Sequence, residues 1–331
     1  MTGPHRLLVL TMPGFGVATL QHLATLPVWR GLDVCVALVG ARPSRWRRLA
    51  AKLRRLSQVR SDSLHSMAVG ALSAGPAEHW LRGSGALWQW AVDDSEVHAL
   101  RLRLQPQLTL TITSRVLFSP RTLAEPASPW FNVHPGLLPD YAGASPAPYM
   151  YLDGVGGCTI HEMVERVDAG AVIDLAPMAG DLGPEVGAYF FDRLPVHTAQ
   201  RVAALIERWR VEAPIPRLPA TGRALRHCSS SRLAADRRLD WRWPAQRLER
   251  WVRALAAIAP AWWVGPLGQR VEVMEARAVP GAASAAAGSV LRCQGRWIEV
   301  VCIDGAVALR CRSTPRVHAG QRLPSISPTE V

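Results

Sequence analysis

Short apolar runs alternate with amphipathic stretches along the first part of the chain. The runs cover residues 7–13, 33–39, 86–92, 106–113 and 129–133. Between them, segments such as Val17 to Leu26 and Val97 to Leu104 carry apolar residues three or four positions apart, the spacing of one helix face. Strands that alternate with helices build parallel sheets with helices on both faces. The pattern therefore predicts an α/β fold with a doubly wound, mostly parallel, Rossmann-like sheet.

A change of pattern predicts a second, smaller domain. The chain has 331 residues, more than the roughly 250–300 at which a single core stops growing. After a helix over Pro195 to Val211, residues 211–237 form a linker rich in Pro, Gly and Ser. Next come an amphipathic helix, WPAQRLERWVRALAAI, and the strand-like runs QRVEVMEARAV, GSVLRC, RWIEVVCID and AVALRCRS. We predict a catalytic domain over residues 1–210 and an OB-like β-barrel over residues 238–331.

The chain is strongly basic, with a formal charge of +12. This charge fits a polyanionic partner such as RNA, but an Arg-rich proteome gives the same value. Residues 55–85 form an atypical insertion between the second and third strands. Residues 45–55, which lead into it, are rich in cations. These are Arg45, Arg47, Arg48, Lys52, Arg54 and Arg55. Two interpretations of residues 42–60 stay open, a solvated helix face or an element that contacts phosphates.

Other features predict a cytoplasmic chain without a metal. No run of 18 apolar residues occurs, so we expect no membrane span, and the N-terminal residues are typical of a first buried strand rather than of a signal peptide. The six cysteines are scattered without a CxxC pair or a histidine at ligand spacing. We therefore expect reduced thiols and no metal site.

The fifth apolar run ends in the stretch FNVHPGLLPDYAG, which places an amide and an imidazole two residues apart. In a strand, alternate side chains share a face, so Asn132 and His134 aim at one point. Two converging hydrogen-bond donors are what a site needs to stabilise an oxyanion. A carboxylate must set the state of the imidazole, and among those downstream Asp168 lies in a turn-like VDAG just before another strand.

These residues resemble the folate-dependent formyltransferases, a family that includes two-domain methionyl-tRNA formyltransferases. The family pattern is Asn-x-His with a following Leu-Pro, then Gly-x-Thr-x-His, then Asp-x-Gly. Here the three blocks are residues 132–139, residues 157–161 and residues 168–170, in the same order. TMPGFGVATLQHL resembles the family's opening strand, turn and helix, and LDWRWPAQRLERWVRAL resembles the start of the barrel domain of the tRNA enzyme.

The resemblance implies an enzyme that moves a formyl group from 10-formyltetrahydrofolate to a primary amine. Asn132 and His134 would hold the oxyanion intermediate, and Asp168 would keep the imidazole charged and accept the proton of the amine. The resemblance also implies that the donor's pterin is bound by the backbone of two segments. Their residues are Arg115, Val116, Leu117, Val164, Glu165, Arg166 and Val167. For His161 we favour a structural hydrogen-bonding role.

One departure from the family pattern bears on the acceptor. Methionyl-tRNA formyltransferases usually carry an Arg-Gly pair after the Leu-Pro turn, whereas this chain has Ala142 and Gly143. We therefore favour the amine of a small molecule, or of a carrier-bound or peptide-like metabolite, as acceptor. Methionyl-tRNA remains an alternative, so tRNA stays a possible partner, and hydrolysis of formyltetrahydrofolate by water is a further one.

Overall fold

A computed structural model describes residues 5–40, 65–183, 186–218, 226–256, 259–279, 281 and 285–324. The basic segment 42–60, residues 55–64 of the predicted insertion and residues 219–225 of the predicted linker lie outside the described residues. Within the described ranges, no helix is long and apolar enough to cross a membrane. The domain boundaries stay a prediction.

Seven strands form the larger sheet, in the order β3-β2-β1-β4-β5-β7-β8. They are β1 His5–Thr11, β2 Leu32–Val39, β3 Leu87–Ala91, β4 Leu108–Ile112, β5 Trp130–His134, β7 Gly157–Glu162 and β8 Val172–Pro177. The first five strands pair in parallel, and β7 pairs antiparallel with both β5 and β8. The mostly parallel α/β sheet predicted from the sequence is confirmed. The order turns back between β1 and β4, so the carboxyl ends of these strands and of β5 form one edge.

Helices cover the sheet and are delimited by ordinary capping residues. They are α1 Phe15–Leu23, α2 His65–Gly83, α3 Asp94–Leu104, α4 Pro120–Ala124, α5 Pro146–Asp153, α6 Val186–Ala188 and α7 Leu194–Arg210, with a π-helical turn over Tyr189–Arg193. Asp93 caps α3 by accepting the backbone amide of Glu96, and Ser119 caps α4. Pro195 lies in the first turn of α7, where its missing N–H costs nothing.

A separate antiparallel sheet follows the helices α8 Ser230–Asp236 and α9 Ala245–Ala256. Its strands are β10 Ala261–Val264, β11 Arg270–Val279, β12 Val290–Gln294, β13 Trp297–Cys302 and β14 Gly305–Cys311, in the order β10-β11-β14-β13-β12. The four predicted strand-like runs correspond to β11 to β14, whereas β10 was not predicted. Among the described residues no pairing joins β10 to β12, so these strands form an open sheet.

The two sheets share one continuous hydrophobic core through α5 and α9. Tyr149 of α5 packs against Trp251 of α9, with ring centroids 5.4 Å apart, and donates its hydroxyl to Asp236 at 2.8 Å. Arg250 of α9 donates to the carbonyl of Leu152 at 3.1 Å. Because α5 directly follows the loop at the end of β5, the second sheet packs on the element next to the predicted site.

Candidate active site

Asn132 and His134 lie on the same face at the carboxyl end of β5, as their spacing predicts. Antiparallel pairing with β7 places His161 opposite Asn132 and Thr159 opposite His134. The Thr159 hydroxyl donates to the carbonyl of Gly136 at 2.7 Å and accepts the amide of Leu138 at 3.0 Å. This pair of bonds fixes the turn that follows the histidine.

Asp168 reaches the same point from the loop between β7 and β8. Its Oδ1 lies 3.7 Å from Nδ1 of His134 and 3.5 Å from Nε2 of His161. The residue is in the left-handed region, with φ of 54°, where an aspartate is tolerated better than most residues. Gly170 allows the loop to return, because a β-carbon there would lie 1.9 Å from the carbonyl oxygen of Glu162. The Asp-x-Gly spacing therefore lets the loop place the Asp168 carboxylate beside the two histidines.

The His134 ring is buried, with 5% of the residue exposed, and both its nitrogens face protein atoms. Its Nε2 lies 2.8 Å from the carbonyl oxygen of Tyr141, and a carbonyl only accepts, so Nε2 carries a proton. Burial lowers the pKa of His134, against the opposing effects of Asp168 and the Tyr141 carbonyl. Desolvation thus acts against the charged imidazole that the resemblance implies, and Asp168 acts for it, so the charge state of His134 stays a prediction.

Asp168 is held as a carboxylate. Burial raises its pKa, but the neighbouring His161 and His134 rings and the amide of Gly143 together bring the pKa well below the usual range of a carboxyl group. The Gly143 amide donates to Oδ2 at 2.8 Å. The pair of His134 and Asp168 can thus accept one proton between Nδ1 and Oδ1.

His161 joins the network, although sequence reasoning gave it only a structural role. Its Nδ1 lies 2.9 Å from the carbonyl oxygen of Glu162 and therefore carries a proton, while Nε2 lies 2.9 Å from the amide nitrogen of Asn132. In the neutral ring Nε2 then accepts one amide proton of Asn132, which leaves the second amide proton free to point at a ligand. In the sequence, the position of His161 in the Gly-x-Thr-x-His block was the feature that could have indicated its place in this network.

Two family profiles match the chain. The profile described as "Formyl transferase" matches residues 70–177, and the one described as "Formyl transferase, C-terminal domain" matches residues 233–314. The first match contains Asn132, His134, His161 and Asp168.

The chain belongs to the formyltransferase family. It is 28% identical to the methionyl-tRNA formyltransferase of Burkholderia vietnamiensis over 331 residues, 98% of this chain and 94% of that protein. It is 32% identical to the methionyl-tRNA formyltransferase of Thiobacillus denitrificans over 183 residues, 54% of this chain and 57% of that protein. The second alignment therefore spans less than two thirds of the relative.

A solved formyltransferase structure shares the fold. It is the N-formyltransferase from Helicobacter canadensis in complex with folinic acid and dTDP-3-aminofucose, with a TM-score of 0.59 and 11% identity over 93% of this chain and 99% of that one. At this identity the likeness concerns the fold alone.

In this formyltransferase, the two predicted pterin-binding segments lie on the loops that follow β4 and β7. Residues 115–117 follow β4, and residues 164–167 follow β7 and precede Asp168. Both segments lie beside a cluster that includes Trp130 and Phe118, against which Val116 and Met163 pack. Leu117, Val164 and Val167 are 74%, 40% and 56% exposed, whereas apolar side chains beside this sheet are mostly buried.

The structure thus brings Asn132, His134 and Asp168 together, and the segment 164–167 directly precedes Asp168 in the chain. Their catalytic and binding roles stay predictions. Among the residues that the structure describes, no three His, Cys, Asp or Glu side chains are grouped so that they could hold a metal ion.

Proposed function

We propose that this formyltransferase moves the formyl group of 10-formyltetrahydrofolate to a primary amine of a small molecule or of a carrier- or peptide-bound metabolite. The observation that carries the proposal is the buried pair of His134 and Asp168 beside the amide of Asn132. An acidic carboxylate, an imidazole of lowered pKa and an oriented amide can take up a proton and stabilise a negative oxygen at one point.

The exposed apolar side chains fit a flat donor ring. Leu117 lies on the loop after β4, and Val164 and Val167 lie on the loop after β7, so exposed apolar side chains are available on two loops of this sheet. We propose that the backbone of residues 115–117 and 164–167 binds the pterin. The bound donor supplies an activated formyl carbon, and the chain supplies the groups around it.

Proton uptake is the proposed task of His134 and Asp168. The amine would attack the formyl carbon and form the new C–N bond, and the proton that it loses would pass to the pair, directly or through water. The bond between the formyl carbon and the donor nitrogen would then break, and that nitrogen would take the proton from the pair, so that tetrahydrofolate leaves. With Nε2 of His134 donating to the Tyr141 carbonyl, the proton can be taken up only at Nδ1 or at Asp168. The resulting imidazolium would face the carboxylate, which stabilises it.

Charge stabilisation is the proposed task of Asn132, together with the protonated His134. One amide proton of Asn132 is used by His161, which leaves the other to donate to the formyl oxygen as it becomes negative. A fixed donor of this kind is worth roughly 2.7–4 kcal/mol of transition-state stabilisation. His161 would act through Asn132, as a positioning residue.

Ala142 is the observation that favours a small acceptor, since the arginine usual in methionyl-tRNA formyltransferases is missing there. A second candidate, methionyl-tRNA as acceptor, is favoured by the alignment over nearly the whole chain with a methionyl-tRNA formyltransferase. The net charge of +12 also supports it. A barrel-like second domain, of the kind that often contacts polymers, would also favour methionyl-tRNA.

One assay separates the candidates. The protein is incubated with 10-formyltetrahydrofolate and either initiator methionyl-tRNA, a panel of amino sugar nucleotides and amino acids, or no acceptor. Tetrahydrofolate release and the mass of the product are measured. We expect a formylated small amine; formylation of methionyl-tRNA alone would contradict this, and rapid release without an acceptor would indicate a hydrolase.

Salt dependence gives an independent answer. A tRNA acceptor requires several phosphate contacts, and each lowers the slope of log K against log salt concentration by about 0.7–0.9. We expect a shallow slope for initiator tRNA. A steep linear fall would support the second candidate.

A further inference from the structure

The loop over residues 141–145 connects the Leu-Pro turn to α5. Its backbone forms hydrogen bonds with two side chains of the site. The carbonyl of Tyr141 accepts Nε2 of His134 at 2.8 Å, and the amide of Gly143 donates to Oδ2 of Asp168 at 2.8 Å. The orientation of both side chains therefore depends on where this loop lies.

The opposite edge of the same loop is bound by a distant part of the chain. β6, Tyr141–Ala142, pairs in parallel with β9, Arg226–His227. The amide of Cys228 donates to the carbonyl of Ala142 at 2.7 Å, and the carbonyl of Cys228 accepts the amide of Ser145 at 2.8 Å. We call residues 226–229 the tether, because they lead into α8 and the second sheet.

The contact between loop and tether is close, and Cys228 at its centre is buried. Cys228 is fully buried and belongs to the core that the two sheets share. A β-carbon at Gly143 would lie 2.9 Å from the carbonyl oxygen of Cys228, and Gly143 has φ of 111°, so only glycine fits here. A shift of the tether would therefore move the loop.

We propose that the tether is a positioning element of the active site. It fixes the outer edge of the loop, so that Tyr141 and Gly143 on the inner edge hold His134 in its Nε2–H tautomer and Asp168 at the ring. The proposal rests on the proposed function for its effect on turnover, but its effect on His134 is independent of that function. A segment that leads into the second sheet thus fixes the orientation of His134 and Asp168 at the edge of the first sheet.

The key variant is Cys228→Pro, which removes the N–H that binds the Ala142 carbonyl. Cys228→Ala is the conservative variant, since it keeps that N–H. The matched control is Ser230→Pro, at the first position of α8, where proline is tolerated and Ser229 already has an extended conformation. It places the same residue type two positions along and leaves the N–H of Cys228 intact. Because it also removes the exposed contact between the Ser230 and Ser145 hydroxyls, 3.3 Å apart, Ser230→Ala is measured beside it.

The first readout is the tautomer of His134 in the full chain, from long-range ¹⁵N–¹H NMR with the signal assigned by its loss in His134→Gln. We expect the Nε2–H tautomer in the unmodified protein, in Cys228→Ala and in Ser230→Pro, and a mixture of tautomers in Cys228→Pro. The second readout is kcat with the best amine of the panel. We expect a decrease of about 10- to 100-fold in Cys228→Pro alone, because small misplacements of reacting groups have effects of this size.

The outcomes are distinct. An unchanged tautomer and kcat in Cys228→Pro, or the same loss in Ser230→Pro, would overturn the positioning role. Should the unmodified protein transfer no formyl group while the tautomer still responds to Cys228→Pro, the proposed function fails and the positioning role stands. If circular dichroism shows that Cys228→Pro does not fold, Cys228→Leu decides, because a larger side chain in this buried position displaces the tether and should give the same mixture of tautomers.

Discussion

Acidic side chains are held in opposite ways at the edge of the parallel sheet and on the antiparallel sheet. Asp168 has 7% of its side chain exposed and contacts two imidazoles and a backbone amide. Glu275 of β11 has 35% exposed and lies between Arg277 at 2.6 Å and Arg310 at 3.0 Å. One carboxylate is buried among imidazoles and a backbone amide, and the other is partly exposed and contacts two arginines.

The difference in burial separates a carboxylate that we expect to affect turnover from one that we expect to affect only stability. Burying a carboxylate lowers the free energy of unfolding unless hydrogen bonds compensate for the lost hydration. Apolar residues in the same place often give equal or higher stability, so a buried carboxylate indicates a role other than stability. Exposed ion pairs contribute about 0–1 kcal/mol each. We therefore expect matched substitutions in the two regions to affect different properties.

The largest effect is expected for Asp168→Asn. Asparagine still accepts the Gly143 amide and tolerates a positive φ, so the loop should keep its conformation, but the proton acceptor is lost. We expect kcat to fall about 100- to 10,000-fold in single-turnover assays. Full turnover with the folded variant would exclude Asp168 from proton transfer.

Asn132→Ala is expected to have the next largest effect, about 100- to 1,000-fold in kcat, through loss of a donor to the formyl oxygen. His161→Gln should cost less, since it alters only the orientation of the Asn132 amide. The two variants are compared with the double variant in a double-mutant cycle. Additive effects would contradict the inference that His161 acts through Asn132.

The pH dependence of His134 sharpens the comparison further. Burial lowers its pKa below the ordinary value of about 6.5, so its NMR titration midpoint in the folded protein should lie below that value. In Asp168→Asn the midpoint should fall further, because the carboxylate opposes the shift. Since the unfolded chain binds this proton first as the pH falls, the contribution of His134 to stability is lost below about pH 6.5. A midpoint above 6.5 would contradict the dry site.

The smallest effect is expected for Glu275→Gln, the same chemical change as Asp168→Asn but on the exposed sheet. Loss of its contacts with Arg277 and Arg310 should change the free energy of unfolding by less than about 1 kcal/mol, and high salt should reduce the difference. Turnover should stay unchanged. A loss of several kcal/mol in denaturant unfolding would show that the two regions are not so different.

Strands were predictable where the chain carries continuous apolar runs bounded by turn residues. The runs at 7–13 and 33–39 correspond to β1 and β2, shifted by at most two residues. β10 was missed because AWWV is four residues long and follows the apolar stretch ALAAIAP, so no change of period marks it. The strand exists because β11 offers it an edge to pair with.

The sequence by itself determined the sheet, the shared face of Asn132 and His134 and the family pattern, because these depend on residues near each other in the chain. Only the tertiary structure decided the surroundings of His134, since the desolvation that lowers its pKa depends on everything packed around the ring. It also brought His161 to the amide of Asn132, and Cys228 to the loop that holds Asp168. Contacts of this kind join segments far apart in the chain, and no local period or propensity encodes them.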